Sequence, residues 1–371
     1  MIVLDHPNAP ICSSVLHQPG GFAWWYAEVL DDKGNGMVLI WSFGLPFLPG
    51  YKSANDSGKP ETPFSRPSLN VALYEAGEPS FYMLHEFAPK DVSWDGGNEW
   101  RFGETTMRCE DKDGRRFLSV SIDCPVAGGQ DRLRGTVQLD GWIPTGMPEL
   151  PADADLLTHR WTPLALPAVG RFDLSTTDYQ LSVDGHGYFD RNASAHALHR
   201  LDIQYWLWGH ARCGQGNRIF YVLWEKDATD PLTLGYELDG KGRWTTREDL
   251  TPVFSKSRRT AYGMKTWDYL SLVDRVGASW MSCQLSRCVD NGPFYLRYIT
   301  DASFRGEMSV LGTAELIAPD RVDLRRHRPL VRMRVSRDSG SNSMWLPLFE
   351  GVKDTRVSRL LKTPMRKVLG R

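Results

Sequence analysis

The sequence predicts an all-β protein of two consecutive antiparallel domains, barrels or sandwiches, followed by a short basic helix or tail. Three observations carry this. Aromatic residues are abundant (14 Trp, 13 Tyr and 15 Phe in 371 residues), and they fall in short apolar or alternating runs bounded by Gly, Pro, Asn and Asp, which is the punctuation of strands and turns. Few amphipathic stretches of helical period compete with these runs. Finally, Ile143 to Arg160 contains three prolines and no strand pattern, and it divides the chain.

The first hairpin joins Trp24–Leu30 to Met37–Phe43 through Asp31-Asp32-Lys33-Gly34-Asn35-Gly36. Further strands follow at Leu69–Tyr74 with Ser80–Glu86, Thr105–Cys109 with Arg116–Ile122, and Arg134–Leu139. After the proline-rich break, strands are expected at Gly170–Leu174, Tyr179–Tyr188, Ile203–Ala211, Arg218–Glu225, Leu232–Glu237, Ala261–Tyr269, Gly277–Cys283, Phe294–Ile299, Arg305–Ile317 and Leu330–Val335. The expected layout is a β domain over 1–145, a linker over 146–158, a second β domain over 159–349 and a basic tail over 350–371. Long antiparallel meanders this rich in aromatics suit walls around an apolar cavity.

Formal charge is −1, which gives no whole-molecule reason to bind nucleic acid. The charge is uneven: Asp320 to Arg371 carries 14 Lys+Arg against 5 Asp+Glu, a net +9. Residues 352–371 hold seven basic groups and one acid. Val357, Leu360 and Leu361 would share an apolar stripe if helical, so this tail is a candidate for docking on an anionic membrane surface. No apolar run is long enough for a spanning helix. The N-terminus lacks a basic and apolar leader pattern, so the expectation is a cytoplasmic protein with reduced thiols, peripheral at most on the inner face of the membrane.

Two segments place polar and aromatic groups at period two. His159-Arg160-Trp161 puts His159 and Trp161 on one face, and His186-Gly187-Tyr188-Phe189-Asp190 does the same for His186, Tyr188 and Asp190. An Asp directed into an aromatic interior is pushed toward its protonated form, which makes it a functional candidate. His196 and His199 could form a metal face on a helical turn, but no Cys partner accompanies them and no metal site is assigned. No Gly-x-Ser-x-Gly elbow and no phosphate-binding loop occurs.

At these residues the chain resembles the carotenoid 1,2-hydratase (hydroxyneurosporene synthase) family of the lipocalin-like superfamily. The resemblance runs through Gly20-Gly21-Phe22-Ala23-Trp24-Trp25-Tyr26, Ser68-Leu69-Asn70-Val71-Ala72-Leu73-Tyr74, Trp94-Asp95-Gly96-Gly97, His159-x-Trp161, Gly187-Tyr188-Phe189-Asp190-Arg191-Asn192 and Trp206-Leu207-Trp208. It implies lipocalin-like domains, a lipophilic isoprenoid substrate, no cofactor and a hydro-lyase reaction. It implies Asp190 as general acid, Trp161 and Tyr188 as stabilisers of the resulting cation, and His159 as the group that positions water or takes its proton. Substrate contacts are expected from Trp24, Trp25, Tyr26, Asn70, His186, Phe189, Arg191, Asn192, Trp206 and Trp208. The family's second block reads Gly-Tyr-His-Asp-His-Asn-Trp-Gly, whereas this chain has Phe189, Arg191, Ala193 and Ser194 at four of those places. That departure leaves open a cyclase that uses the same acid on a prenylated or polyene substrate. A non-catalytic carrier of lipophilic ligands is the remaining alternative.

Overall fold

The structure is a computed structural model that describes residues 2–11, 13–126, 131–148, 159–305 and 308–357. It consists of two large, lipocalin-like β-sheets, antiparallel throughout except for two short edge pairings, Ile2–Leu4 with His159–Trp161 and Ser336–Arg337 with His85–Glu86. The main path of the first sheet runs from Glu78–Glu86 through Pro67–Glu75, Gly36–Phe43, Phe22–Leu30, Tyr179–Ser194, His159–Thr176, Asp131–Trp142 and Arg115–Val126 to Thr105–Lys112 and the short strands beyond it. The second is centred on Gly216–Glu225, Ile203–Cys213, Val310–Ile317 and Tyr295–Ser303.

The sheets change over at residues 195–202, not at the proline-rich stretch over 146–158, of which 149–158 lie outside the described residues. His159–Thr176 and Tyr179–Ser194 extend the first sheet, because Tyr179–Ser194 pairs with Phe22–Leu30 from Ser194↔Phe22 to His186↔Leu30. The chain later returns: Gly351–Val352 pairs with Phe81–Tyr82. The basic tail beyond residue 357 lies outside the described residues.

Alternation along the strands explains the layering. In Phe22–Leu30, Ala23, Trp25, Ala27 and Val29 enter the core inside the first sheet, and Phe22, Trp24, Tyr26 and Leu30 enter a core shared by both sheets. Every residue of that strand is buried as a result. In Ile203–Cys213, Trp206 and Trp208 face the shared core, whereas Leu207 and Ala211 face the interior of the second sheet. Leu330–Val335, expected as a strand, is instead met by the helical turn Arg328–Arg332 with Pro329 in its first turn. A short apolar run cannot by itself distinguish the two. Thr251–Arg259, a strand with most side chains exposed, carries too little apolar pattern to be read from sequence.

Candidate active site

The shared core holds the polar groups. Tyr188 and Asp190 project into it from one strand, opposite Glu28 and Tyr26 of the neighbouring strand. Gly187 precedes them because a Cβ there would collide with Leu139 and crowd Ala168. Trp161 Nε1 and Tyr188 Oη both donate to Asp190 Oδ2, each at 2.7 Å. Asn192 Nδ2 donates to Asp190 Oδ1 at 3.2 Å. Its carbonyl oxygen therefore faces His159 Nε2 at 2.8 Å as an acceptor, so Nε2 carries the imidazole proton and Nδ1 keeps its lone pair. His159 Nδ1 has no partner among the described residues.

Burial sets the electrostatics. Asp190 is 3 % exposed, and desolvation lifts its carboxyl from the ordinary 3.8 to about 7 against the hydrogen bonds from Tyr188 and Trp161, which favour the charged form. Desolvation lowers the His159 imidazole to about 4, against the Asn192 hydrogen bond. The site thus holds a histidine that is neutral at neutral pH and a carboxyl that keeps its proton to far higher pH than an ordinary aspartate. Aromatic rings enclose it. Trp161 packs on Tyr221, Tyr236 and Trp244 with centroids 5.1–5.9 Å apart, and His159 lies between Phe22, Trp24 and Trp206.

A second polar group adjoins the first. Glu28 accepts from Tyr26 Oη at 2.7 Å and from Thr313 Oγ1 at 2.8 Å, and His210 Nε2 stands 3.4 Å from it. Burial opposes the Glu28 carboxylate, but His210 and these hydrogen bonds hold its pKa below the usual value. The His210 ring stacks on Tyr188 at 4.2 Å. Sequence reasoning misses Glu28 and His210, although Trp206-x-Trp208-x-His210 repeats at period two and places His210 on the face of the two tryptophans.

A largely apolar cavity of about 120 Å3 opens beside this cluster, lined among others by Ile40, Asn70, Leu84, Tyr295 and Arg297. Asp190, Tyr26, Ile40, Asn70 and Leu84 occupy one cross-strand row. Tyr26 therefore stands between the acid and the cavity, its ring 5.9 Å from Tyr188 and 5.5 Å from Trp208.

The expected site residues divide by face. His159, Trp161, Tyr188, Asp190 and Asn192 come together, with Trp24, Tyr26, Trp206 and Trp208 around them. Asn70 lines the cavity. Trp25 and Phe189 face the opposite way, where Trp25 stacks on Trp41 and Phe189 packs on the same ring. Arg191 donates to the Ala9 carbonyl and Thr162 Oγ1 and lines a separate cavity with Trp25 and Phe189. These three expected contacts do not meet Asp190. His186 lies half-buried at the rim, where its Nε2 accepts from Arg212 at 2.9 Å. His199 is occupied by Asp56 at 2.8 Å, and no cluster of three or more metal-ligating side chains occurs among the described residues. No helix among them is long and apolar enough to cross a membrane.

The sequence profile of the family described as carotenoid hydratase CrtC matches residues 40–344. The chain belongs to the carotenoid hydratase family. Among similar members, the acyclic carotenoid 1,2-hydratase of Thiocapsa roseopersicina is 26% identical over 239 residues, a match covering 60% of this chain and 53% of that protein. This chain therefore matches about half the length of that hydratase. A protein of Chlorobaculum tepidum named hydroxyneurosporene dehydrogenase is 25% identical over 357 residues, 89% of this chain and 91% of its own. Among solved structures, an AttH protein of Nitrosomonas europaea aligns with a TM-score of 0.53 at 13% identity, covering 81% of this chain and 93% of that one. CghA bound to Sch210972 aligns at 0.50 and 12%, covering 85% and 95%. At these identities the two structures speak to the fold, which this member of the carotenoid hydratase family shares. The family pattern's departures at Phe189, Arg191 and Ala193 all fall on the face of the strand turned away from Asp190. Only Ser194 shares the side of Asp190.

Proposed function

We propose that this protein is a cofactor-independent hydro-lyase that protonates a terminal trisubstituted C=C bond of an acyclic carotenoid or related isoprenoid and adds water to the tertiary cation. The observation that carries this reading is a carboxyl group buried among aromatic rings, raised to about 7, with both of its firm hydrogen bonds on one oxygen.

Because Trp161 and Tyr188 both donate to Oδ2, the acid proton belongs on Oδ1. General acid catalysis transfers it to the less substituted alkene carbon and leaves the positive charge on the tertiary carbon. The Trp161 and Tyr188 rings stabilise that charge by cation–π attraction, worth about 2 kcal/mol when desolvated. Meanwhile their N–H and O–H groups stabilise the carboxylate formed at Asp190. Water adds to the cation, and its surplus proton returns to Asp190, directly or by way of His159 Nδ1, which restores the acid. The net change is the addition of one water.

The relatives' names support the substrate class, and the inward placement of all four implied catalytic groups supports the chemistry. The cyclase reading loses its main motive, since three of the four departures from the family pattern face away from the acid. The experiment is turnover in deuterated water of acyclic carotenoids by wild type and Asp190→Asn. One carbon-bound deuterium plus the mass of water, lost in the variant, supports the hydratase. Deuterium without added water supports cyclisation, and full activity of Asp190→Asn removes the acid assignment.

Docking of residues 352–371 on an anionic membrane surface is a proposal of the same kind. It rests on the excess of basic residues there and on the need of a bilayer-dissolved substrate to reach the protein.

A further inference from the structure

Trp25, Phe189 and Arg191, which turn away from Asp190, meet on the opposite face of the first sheet. There they line a cavity of about 310 Å3 together with Trp94 and Trp100. That volume lies within the range of about 300–1000 Å3 usual for small-ligand sites. One wall is aromatic. The Trp25 ring stands edge-on to Trp94 at 5.8 Å and to Trp100 at 5.0 Å, and Trp94 lies parallel to Trp100 at 6.3 Å.

The other wall carries charge that is not balanced. Arg116 spends its guanidinium on Asp111, at 2.8 Å through both Nε and Nη2, and on the Pro7 carbonyl and Asn8. Arg191 is 8 % exposed. Asp5, the carboxylate beside it, stands 3.8 Å away and is shared with Arg160 at 3.6 Å, both beyond hydrogen-bond reach. Three guanidinium groups therefore meet two carboxylates, and one positive charge is left over. Burial, with Arg116 and Arg160 adding repulsion, lowers Arg191 to about 10 against the attraction of Asp5. Nη2 donates to the Ala9 carbonyl at 2.8 Å and to Thr162 Oγ1 at 3.2 Å. Nε and Nη1 donate to nothing among the described residues, and neither is sealed from solvent.

Cross-strand register joins the two walls. Arg191 lies directly opposite Trp25, which sets their Cβ atoms about 5 Å apart on one face. A flat ligand against the tryptophans thus brings a group on its edge to the guanidinium. An amine there would be repelled, and a dianion would face the Asp111 carboxylate. A single carboxylate matches the single excess charge and accepts a charge-assisted hydrogen bond.

We infer that this cavity is a second binding site, for an aromatic monocarboxylate held between Arg191 and the tryptophan wall. It lies on the far side of the sheet from Asp190 and does not rest on the proposed reaction. The family pattern has His where this chain has Arg191, so the charge belongs to this chain in particular.

The test compares 2-naphthoate with its uncharged isostere 2-naphthamide by calorimetry at about pH 8, where carboxylate and guanidinium are both charged. Wild type should bind the carboxylate at least about tenfold more tightly, the range of a hydrogen bond to a charged group. Arg191→Met should bring the ratio close to one. Because Arg191 also holds Ala9 and Thr162, Arg191→His, which restores the family residue in a form neutral at this pH, supplies a second variant with the same expectation. Trp94→Ala should weaken both compounds alike and keep the ratio, and Asp190→Asn should change neither affinity. Equal affinity for the two compounds in wild type, or no binding of either, overturns the inference. So does a preference that survives in either folded Arg191 variant, or a loss of binding in Asp190→Asn, which would place the ligand in the shared core.

Discussion

Asp190→Asn should uncover a pH dependence of stability that the wild-type protein hides. Folding lifts the Asp190 carboxyl from 3.8 to about 7, so between those values the folded chain holds a proton that the unfolded chain releases. Stability from this residue is therefore lost as pH rises from about 4 to 7, by up to about 4 kcal/mol at 1.36 kcal/mol per pH unit. His159 works in the opposite direction. Its imidazole falls from 6.5 to about 4 on burial, so the unfolded chain takes up a proton first, and stability is lost as pH falls through that window, by up to about 3 kcal/mol. The two slopes oppose each other over the same range.

Urea midpoints from pH 4.5 to 7.5 for wild type, Asp190→Asn and His159→Gln separate them. Wild type should show little slope from this pair. Asp190→Asn should become more stable relative to wild type as pH rises, since the cost of ionising a buried carboxyl has gone. His159→Gln should show the reverse trend, gaining on wild type as pH falls. Parallel curves for wild type and Asp190→Asn would mean that Asp190 titrates at an ordinary pKa, and the acid mechanism would lose its physical basis.

Tyr188→Phe removes a hydrogen bond that favours the Asp190 carboxylate. Its basic limb in a pH–rate profile should move upward, while turnover falls roughly ten- to a hundredfold. Gly187→Ala places a methyl group against Leu139 and Ala168 and should cost about 1–3 kcal/mol, read as a lower urea midpoint. A chain ending at Val357 keeps the Gly351–Val352 pairing with Phe81–Tyr82 and removes most of the basic tail. Its flotation with anionic liposomes should fall well below that of the full chain, and equal flotation would remove the tail from the account.

Period-two patterning makes the pairing of His159 with Trp161 and of Tyr188 with Asp190 legible in the sequence alone, because alternate residues share a face. What it cannot reveal is which face matters. The strand Phe22–Leu30 and residues 187–194 of the strand Tyr179–Ser194 are covered on both sides, so by pattern Trp25, Phe189 and Arg191 are as suited to a site as Trp24, Tyr188 and Asp190. Cross-strand pairing decides this, and pairing is a long-range property. The same holds for the sheet changeover. A proline-rich break ahead of His159 resembles a boundary, yet the next two strands return to pair with Asp131–Trp142 and Phe22–Leu30. Arg297 gives no local signal, since an isolated charge within a strand is ordinarily a solvated one.

The most direct measurement of the central claim is the isotopic mass of the product formed from an acyclic carotenoid in deuterated water, with Asp190→Asn beside the wild type. The account predicts a wild-type product heavier by one heavy water, with one deuterium fixed on carbon, and no product from the variant. An Asp190→Asn protein that hydrates as fast as wild type would contradict it.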